Sequence, residues 1–346
     1  MRKLLILMIL LPVLSVPVAG LELTAPKVPS YAEEYMITEP ENLMDGVRQV
    51  LKEALGKIRP DLKEASRVCM GMIGAVMVVS LFQCIPAGTE KSADLAGAVT
   101  VSVIFLSAAG ALIDLGEQTV TQVSEYGKLL VPVMSAAMAA QGGITGSTAL
   151  YTVTAVFDAV LSGLISKVLM PLLYLYLALS VSHAAVGEGL LKKLSDGTKW
   201  LMTWLLKTIL YVFTGFISIT GVISGPTDAT ALKAAKLTIS GFVPVVGGIL
   251  SDASEAVLVS AGVVKNSIGI YGLFAVLAIW IGPFLKIGTH YILLRFTGLI
   301  CSIFGSKSIG NLIENFATVM GFLVAMTGSV CLMLLISTVC FMRGVI

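Results

Sequence analysis

The chain has 346 residues, 56% of them apolar and 13% charged, and its mean hydropathy is +0.94. Soluble domains carry about a quarter charged residues, so this composition instead describes apolar stretches of membrane-spanning length joined by short polar connections. The 23 basic and 21 acidic side chains leave a net charge of +2, which excludes nucleic-acid binding built on bulk electrostatics.

The first twenty residues read as a targeting segment. Arg2 and Lys3 precede an unbroken apolar run from Leu4 to Leu11, and Ala19-Gly20 supply small residues for cleavage. That run is too short to cross a bilayer and has the layout of a signal peptide, with an uncleaved anchor as the alternative. Residues 21–67 then form the charged region, an extracytoplasmic segment. Pro26, Pro29 and Pro40 keep its first half extended. Asn42 can cap a helix in which Leu43, Val47, Val50, Leu51, Leu55 and Ile58 recur at helical spacing, with Asp45, Arg48, Lys52, Glu53 and Lys57 on the other face. Pro60 ends or kinks that helix. Its charges balance, so docking on protein is favoured over binding an anionic lipid surface.

From Val68 onward the chain reads as an all-α polytopic transmembrane domain, residues 68–346. Six apolar stretches are expected to span: Val68–Ile85, Leu95–Ile113, Ala149–Val181, Trp200–Ser224, Ile268–Leu294 and Phe316–Phe341. Seven or eight spans result if the third and fifth, which contain Pro171 and Pro283, each bend into two. With the mature N-terminus outside, six spans put Lys192, Lys193, Lys199 and Lys207 inside, as the positive-inside rule requires. The connection Glu188–Lys199 is therefore expected to face the cytoplasm.

A repeat is suggested by two offsets. Val131-Pro132-Val133 and Val243-Pro244-Val245 lie 112 residues apart, as do Pro171 and Pro283. Units of about 95–205 and 207–320, each with two spans, would be parallel rather than inverted. The two Val-Pro-Val segments, Leu129–Ala140 and Gly241–Leu250, are apolar but too short to cross. Pro132 and Pro244 each remove a backbone donor, and Gly247-Gly248 permits a sharp turn before Asp252. Non-spanning hairpins packed in the protein are one reading, since only protein or a watery cavity satisfies such backbone at membrane depth; ordinary interfacial turns are the other.

Charges inside apolar stretches are expensive and face a cavity or a partner. Asp158 and Lys167, nine residues apart, fall on opposite faces of a straight helix and cannot pair, so each needs another partner or water. Lys207 and Arg295, near span ends, are expected to snorkel. The structural or pore candidates are thus Pro132, Asp158, Lys167, Pro171, Pro244, Gly247, Gly248, Asp252 and Pro283. The five cysteines, Cys69, Cys84, Cys301, Cys331 and Cys340, read as small apolar residues; Cys331 and Cys340 would stand about 13 Å apart along a helix, too far to bridge. His183 and His290 lack zinc-protease spacing, no nucleophile elbow or phosphate loop occurs, and no enzyme is expected.

The stretch Thr227-Asp228-Ala229-Thr230-Ala231-Leu232-Lys233-Ala234-Ala235-Lys236, continuing through Gly241–Gly248 to Ser251-Asp252-Ala253, resembles the signature region of the stage III sporulation protein AE family. Val264-Lys265-Asn266-Ser267-Ile268-Gly269 and Met170-Pro171-Leu172-Leu173-Tyr174-Leu175-Tyr176 are similar to it too. The resemblance implies an endospore-forming Firmicute and a multi-pass subunit of the membrane around the developing forespore, on the mother-cell side. It implies a channel, or feeding-tube, complex whose partners include an ATPase, ring-forming proteins related to secretion systems and a forespore partner. Membrane lipid is a further partner, homo-oligomerisation is left open, and no nucleic acid or cofactor is implied. The runner-up reading is a secondary transporter for a small solute, prompted by broken helices and buried charge.

Overall fold

The computed structural model describes residues 24–36, 43–83, 90–141, 143–242, 247–304 and 307–343, and within these all side chains except those of 43–44, 82–83, 90–91, 219–242, 247–261 and 304. Apart from residues 24–29 and short turns the described chain is helical, with no strand among the described residues. A short helix α1 (Ser30–Glu33) leads to α2 (Leu43–Gly56) and α3 (Arg59–Gln83). Next come α4 (Glu90–Ala140) and α5 (Ile144–Leu164), which a π-turn over Ile165–Leu169 joins to α6 (Met170–Val186). The chain closes with α7 (Gly189–Phe242), α8 (Gly247–Phe304) and α9 (Lys307–Arg343). Six of these stretches are long and apolar enough to cross a membrane: Arg59–Leu81, Ser92–Ala140, Ile144–Val186, Gly189–Ser218, Gly262–Ile303 and Lys307–Arg343. They correspond one for one to the six expected spans.

Helix α9 is the central element. It touches α4, α5, α6, α7 and α8, and Phe316, Met320, Leu323, Met326 and Val330 along it are all fully buried. Phe316 stacks on Phe105 of α4 with ring centroids 4.0 Å apart. The α8–α9 hairpin closes so tightly that a Cβ on Gly310 would stand 3.0 Å from the Ser302 Cα. Glycine there lets the two backbones touch. At the α6–α7 connection Gly187 adopts φ 76°, the left-handed cap that ends α6, and its N–H donates to the His183 carbonyl.

Prolines explain the irregularities. Pro60 is the second residue of α3, where a missing N–H costs nothing, and it separates α2 from α3 as expected. Pro171 has no N–H for the Lys167 carbonyl four residues back; the chain widens there into the π-turn, where the Met170 N–H reaches the Ile165 carbonyl. Pro132 and Pro283 lie inside continuous helices. The segment Leu129–Ala140 is therefore no separate hairpin but the end of α4, and the chain reverses only at Gln141–Gly143. Tertiary packing overrides the proline, because Leu130, Val131, Met134, Ala137 and Met138 are all buried against neighbouring helices. The second Val-Pro-Val segment, with Pro244, lies outside the described residues. Gly247, Gly248 and Asp252 fall in the first turns of α8, and their side chains are outside the description.

At 51 residues α4 is about 76 Å long, more than twice the hydrocarbon thickness. Its polar run starts at Asp114, and Gly116 packs on Leu323 of α9, while Gly321 of α9 meets Tyr291 of α8. That level lies within about two turns of Lys286 on α8, which pairs with Glu64 (3.1 Å) and Asp61 (3.9 Å) on α3. Below it, exposed apolar residues such as Met77, Leu81, Val103, Leu106, Leu299 and Ile303 clad the bundle. The opposite, upper half runs from Asp114 to Ala140 on α4 and ends at Arg343 on α9.

The upper half carries the N-terminal segment. Tyr31 donates to Gln122 (2.7 Å) and Tyr126 to the Pro26 carbonyl (3.3 Å), so residues 24–36 lie across α4. Lys57 bonds Glu34 at 3.1 Å and sits over the Tyr35 ring; burial, with the Glu34 carboxylate beside it, holds the Tyr35 phenol up at about 12. Helix α2 docks on protein, as its balanced charge suggested, and the protein is its own α8: Val50 and Ala54 bury against Phe274 and Ile281. The docked face is only part of the expected stripe: Val47 and Val50 pack, while Leu51 and Leu55 remain exposed.

Candidate functional site

Three helices line a cavity of about 120 Å³ in the upper half. Its walls are Gly127, Lys128, Val131 and Pro132 from α4, Tyr151, Thr154, Ala155 and Asp158 from α5, and Leu334 from α9. The helices approach closely here because Gly127 has no side chain; a Cβ would stand 3.2 Å from the Leu334 methyls.

Asp158 gives the cavity its chemistry. It is buried, at 6% exposure. Oδ2 accepts the Ser124 hydroxyl at 2.6 Å, and Oδ1 is buried with no partner. Thr154, one turn away on the same face, donates its hydroxyl to Ser337 of α9 at 3.0 Å. Pro132 has no N–H for the Lys128 carbonyl four residues back, so an acceptor is left over in the same wall. A buried polar group without a partner costs about 1–3 kcal/mol, and a charged one more, so the arrangement favours an occupant that supplies positive charge or a proton donor.

The structure unites two candidates that stood apart in the sequence: Pro132 and Asp158 line one cavity. Lys167, Pro171 and Pro283 lie apart from it. Lys167 is exposed in the π-turn and Pro171 follows it on the outer face of α6. Pro283 lies within α8, remote from the cavity. As expected, Asp158 and Lys167 do not meet. Arg295 does not simply snorkel: it pairs with Glu314 across the α8–α9 hairpin and lies over the Tyr291 ring. Sequence reasoning missed Ser124, Lys128, Tyr151, Thr154 and Ser337. The one available signal was the run Ser147, Thr154 and Asp158 at helical spacing along a single face of an apolar stretch.

A second hollow lies on α4 alone, lined by Asp114, Glu117, Gln118, Thr121 and Gln122. It is an open, acidic strip, and its Gln122 end is occupied by Tyr31. Cys69, Cys301, Cys331 and Cys340 are free thiols, and no cluster of metal-ligating side chains occurs among the described residues.

Comparison with known proteins gives a consistent result. The family model for stage III sporulation protein AE matches residues 33–344. Stage III sporulation protein AE of Bacillus subtilis (strain 168) is 26% identical over 186 residues, which cover 54% of this chain and 46% of that protein. The match thus spans about half the length of that relative. No solved structure matches.

Proposed function

The chain belongs to the stage III sporulation protein AE family, and on that premise we propose that it is a membrane-embedded, non-enzymatic subunit of a channel complex joining mother cell and forespore, in the mother-cell membrane that surrounds the forespore. Its partners in this reading are an ATPase, ring-forming proteins related to secretion systems and a forespore protein, with copies of itself as a further neighbour. One structural feature supports a subunit role above all: α4 is about 76 Å long, more than twice what one bilayer crossing needs, so in this reading the upper half is available to other proteins. That half exposes Tyr151, Val156 and Val160 on α5 and Tyr211, Val212 and Phe216 on α7, an apolar surface of the kind that meets other proteins.

Deleting the gene should leave vegetative growth normal and arrest sporulation after engulfment, with heat-resistant spores lost. A null strain that yields them at normal frequency overturns the reading. The second reading, a secondary transporter for a small solute, draws on the Asp158 cavity and the Pro171 π-turn; it predicts a growth defect tied to a solute rather than to sporulation.

In the proposed orientation the N-terminal segment lies between the two membranes, and the α6–α7 connection with the first turns of α7 faces the mother-cell cytoplasm; the expected polar connection Glu188–Lys199 is helical from Gly189 on. Ser195, the natural first choice for a labelling site there, is buried with its Oγ 3.3 Å from that of Ser180. Asp196 next to it is exposed. In a cysteine-free background, Asp196→Cys should resist a membrane-impermeant maleimide applied outside and react after permeabilisation, whereas Lys52→Cys should react at once. Labelling of Asp196→Cys from outside reverses the topology.

A further inference from the structure

The cavity at Asp158 contains chemistry that a scaffold does not need. We propose that it is a binding site for one small monovalent cation, with sodium as the ion to test. This inference is independent of the sporulation reading: the site would serve a channel subunit or a transporter alike, and its test reads binding alone.

The first argument is an unsatisfied carboxyl oxygen. Oδ1 of Asp158 is buried and has no partner, while Oδ2 already holds the Ser124 hydroxyl. An ionised carboxylate so placed needs a counter-charge within contact distance. The cavity beside it, about 120 Å³, has room for an ion and several waters.

The second argument is the donor set. Apart from Lys128, the polar side chains on the wall carry hard oxygens. Thr154 spends its proton on Ser337 and keeps its lone pairs free. The Lys128 carbonyl is released by Pro132. Tyr151 adds a phenol oxygen. Asp158 is the single carboxylate among the lining residues. One negative charge with neutral oxygens suits a monovalent ion, whereas calcium sites gather more carboxylates and magnesium keeps its own waters.

Lys128 supplies the control. Its exposed side chain lines the same cavity, so its ammonium competes with an incoming ion for Asp158. Binding would tie α4 to α5, and through the Thr154–Ser337 bond to α9.

The test uses the full chain in detergent micelles, with sodium replacing choline at constant ionic strength and unfolding followed by tryptophan fluorescence. The unfolding temperature should rise by a few degrees and saturate with sodium, as for any ligand that binds the folded state. Asp158→Asn should abolish the rise. Lys128→Ala should keep it and reach half-saturation at about tenfold lower sodium, because a competing charge is gone. Equal unfolding temperatures in sodium and choline overturn the proposal, as does a rise that Asp158→Asn retains. Should Asp158→Asn not fold, Lys128→Ala decides: half-saturation unchanged or moved to higher sodium also overturns it.

Discussion

Phe316→Ala should lower stability by about 3 kcal/mol, among the largest single losses available in this bundle. Phe316 is fully buried in the central helix, and its ring stacks on Phe105 at 4.0 Å. Between helices in lipid the hydrophobic effect contributes little, so packing contacts carry the association. Truncation leaves a void between α4 and α9 that rigid helices cannot fill, and the lost dispersion contacts are not recovered. Phe316→Leu should cost less than half as much. Equilibrium unfolding in mixed micelles measures both; equal stability of Phe316→Ala and the parent would show that this contact is not structural.

Gly310→Val should prevent the α8–α9 hairpin from closing. A Cβ on Gly310 meets the Ser302 Cα at 3.0 Å and its nitrogen at 3.2 Å, both backbone atoms that cannot rotate aside. Overpacking of this kind typically costs about 1–3 kcal/mol, and here it also displaces the Arg295–Glu314 pair across the same hairpin. The variant should accumulate in the membrane at a fraction of the parent level. Gly163→Val is the control, since a Cβ there meets nothing within 4 Å. Similar membrane levels for both variants would show that the close approach is dispensable.

Much of this was legible in the residues. Apolar length alone marked six spans, because a helix in lipid must satisfy its backbone internally and so needs about twenty apolar residues per crossing. Balanced charge on residues 43–57 pointed to docking on protein. The Thr227–Gly269 stretch carried the family resemblance. Asp158 was flagged because charge at membrane depth is costly.

Length and hydropathy, being local, determined the class and the number of spans, and a local run of residues carried the family. The rest was decided by contacts between residues far apart in the chain. Pro132 forecast a break by its local chemistry, yet α4 runs through it, since burial of Leu130, Val131 and Met134 outweighs one missing hydrogen bond. Of the apolar stripe of α2, the surface of α8 selected Val47 and Val50, together with Ala54, and left Leu51 and Leu55 exposed. Arg295 found Glu314 because the hairpin brings residues 19 apart together. Asp158 acquired its meaning only when α4 and α9 were laid against α5, placing Ser124, Pro132 and Leu334 around it. No periodicity encodes such neighbours; helix crossing and register do, and those are set by how side chains interdigitate once the whole bundle packs.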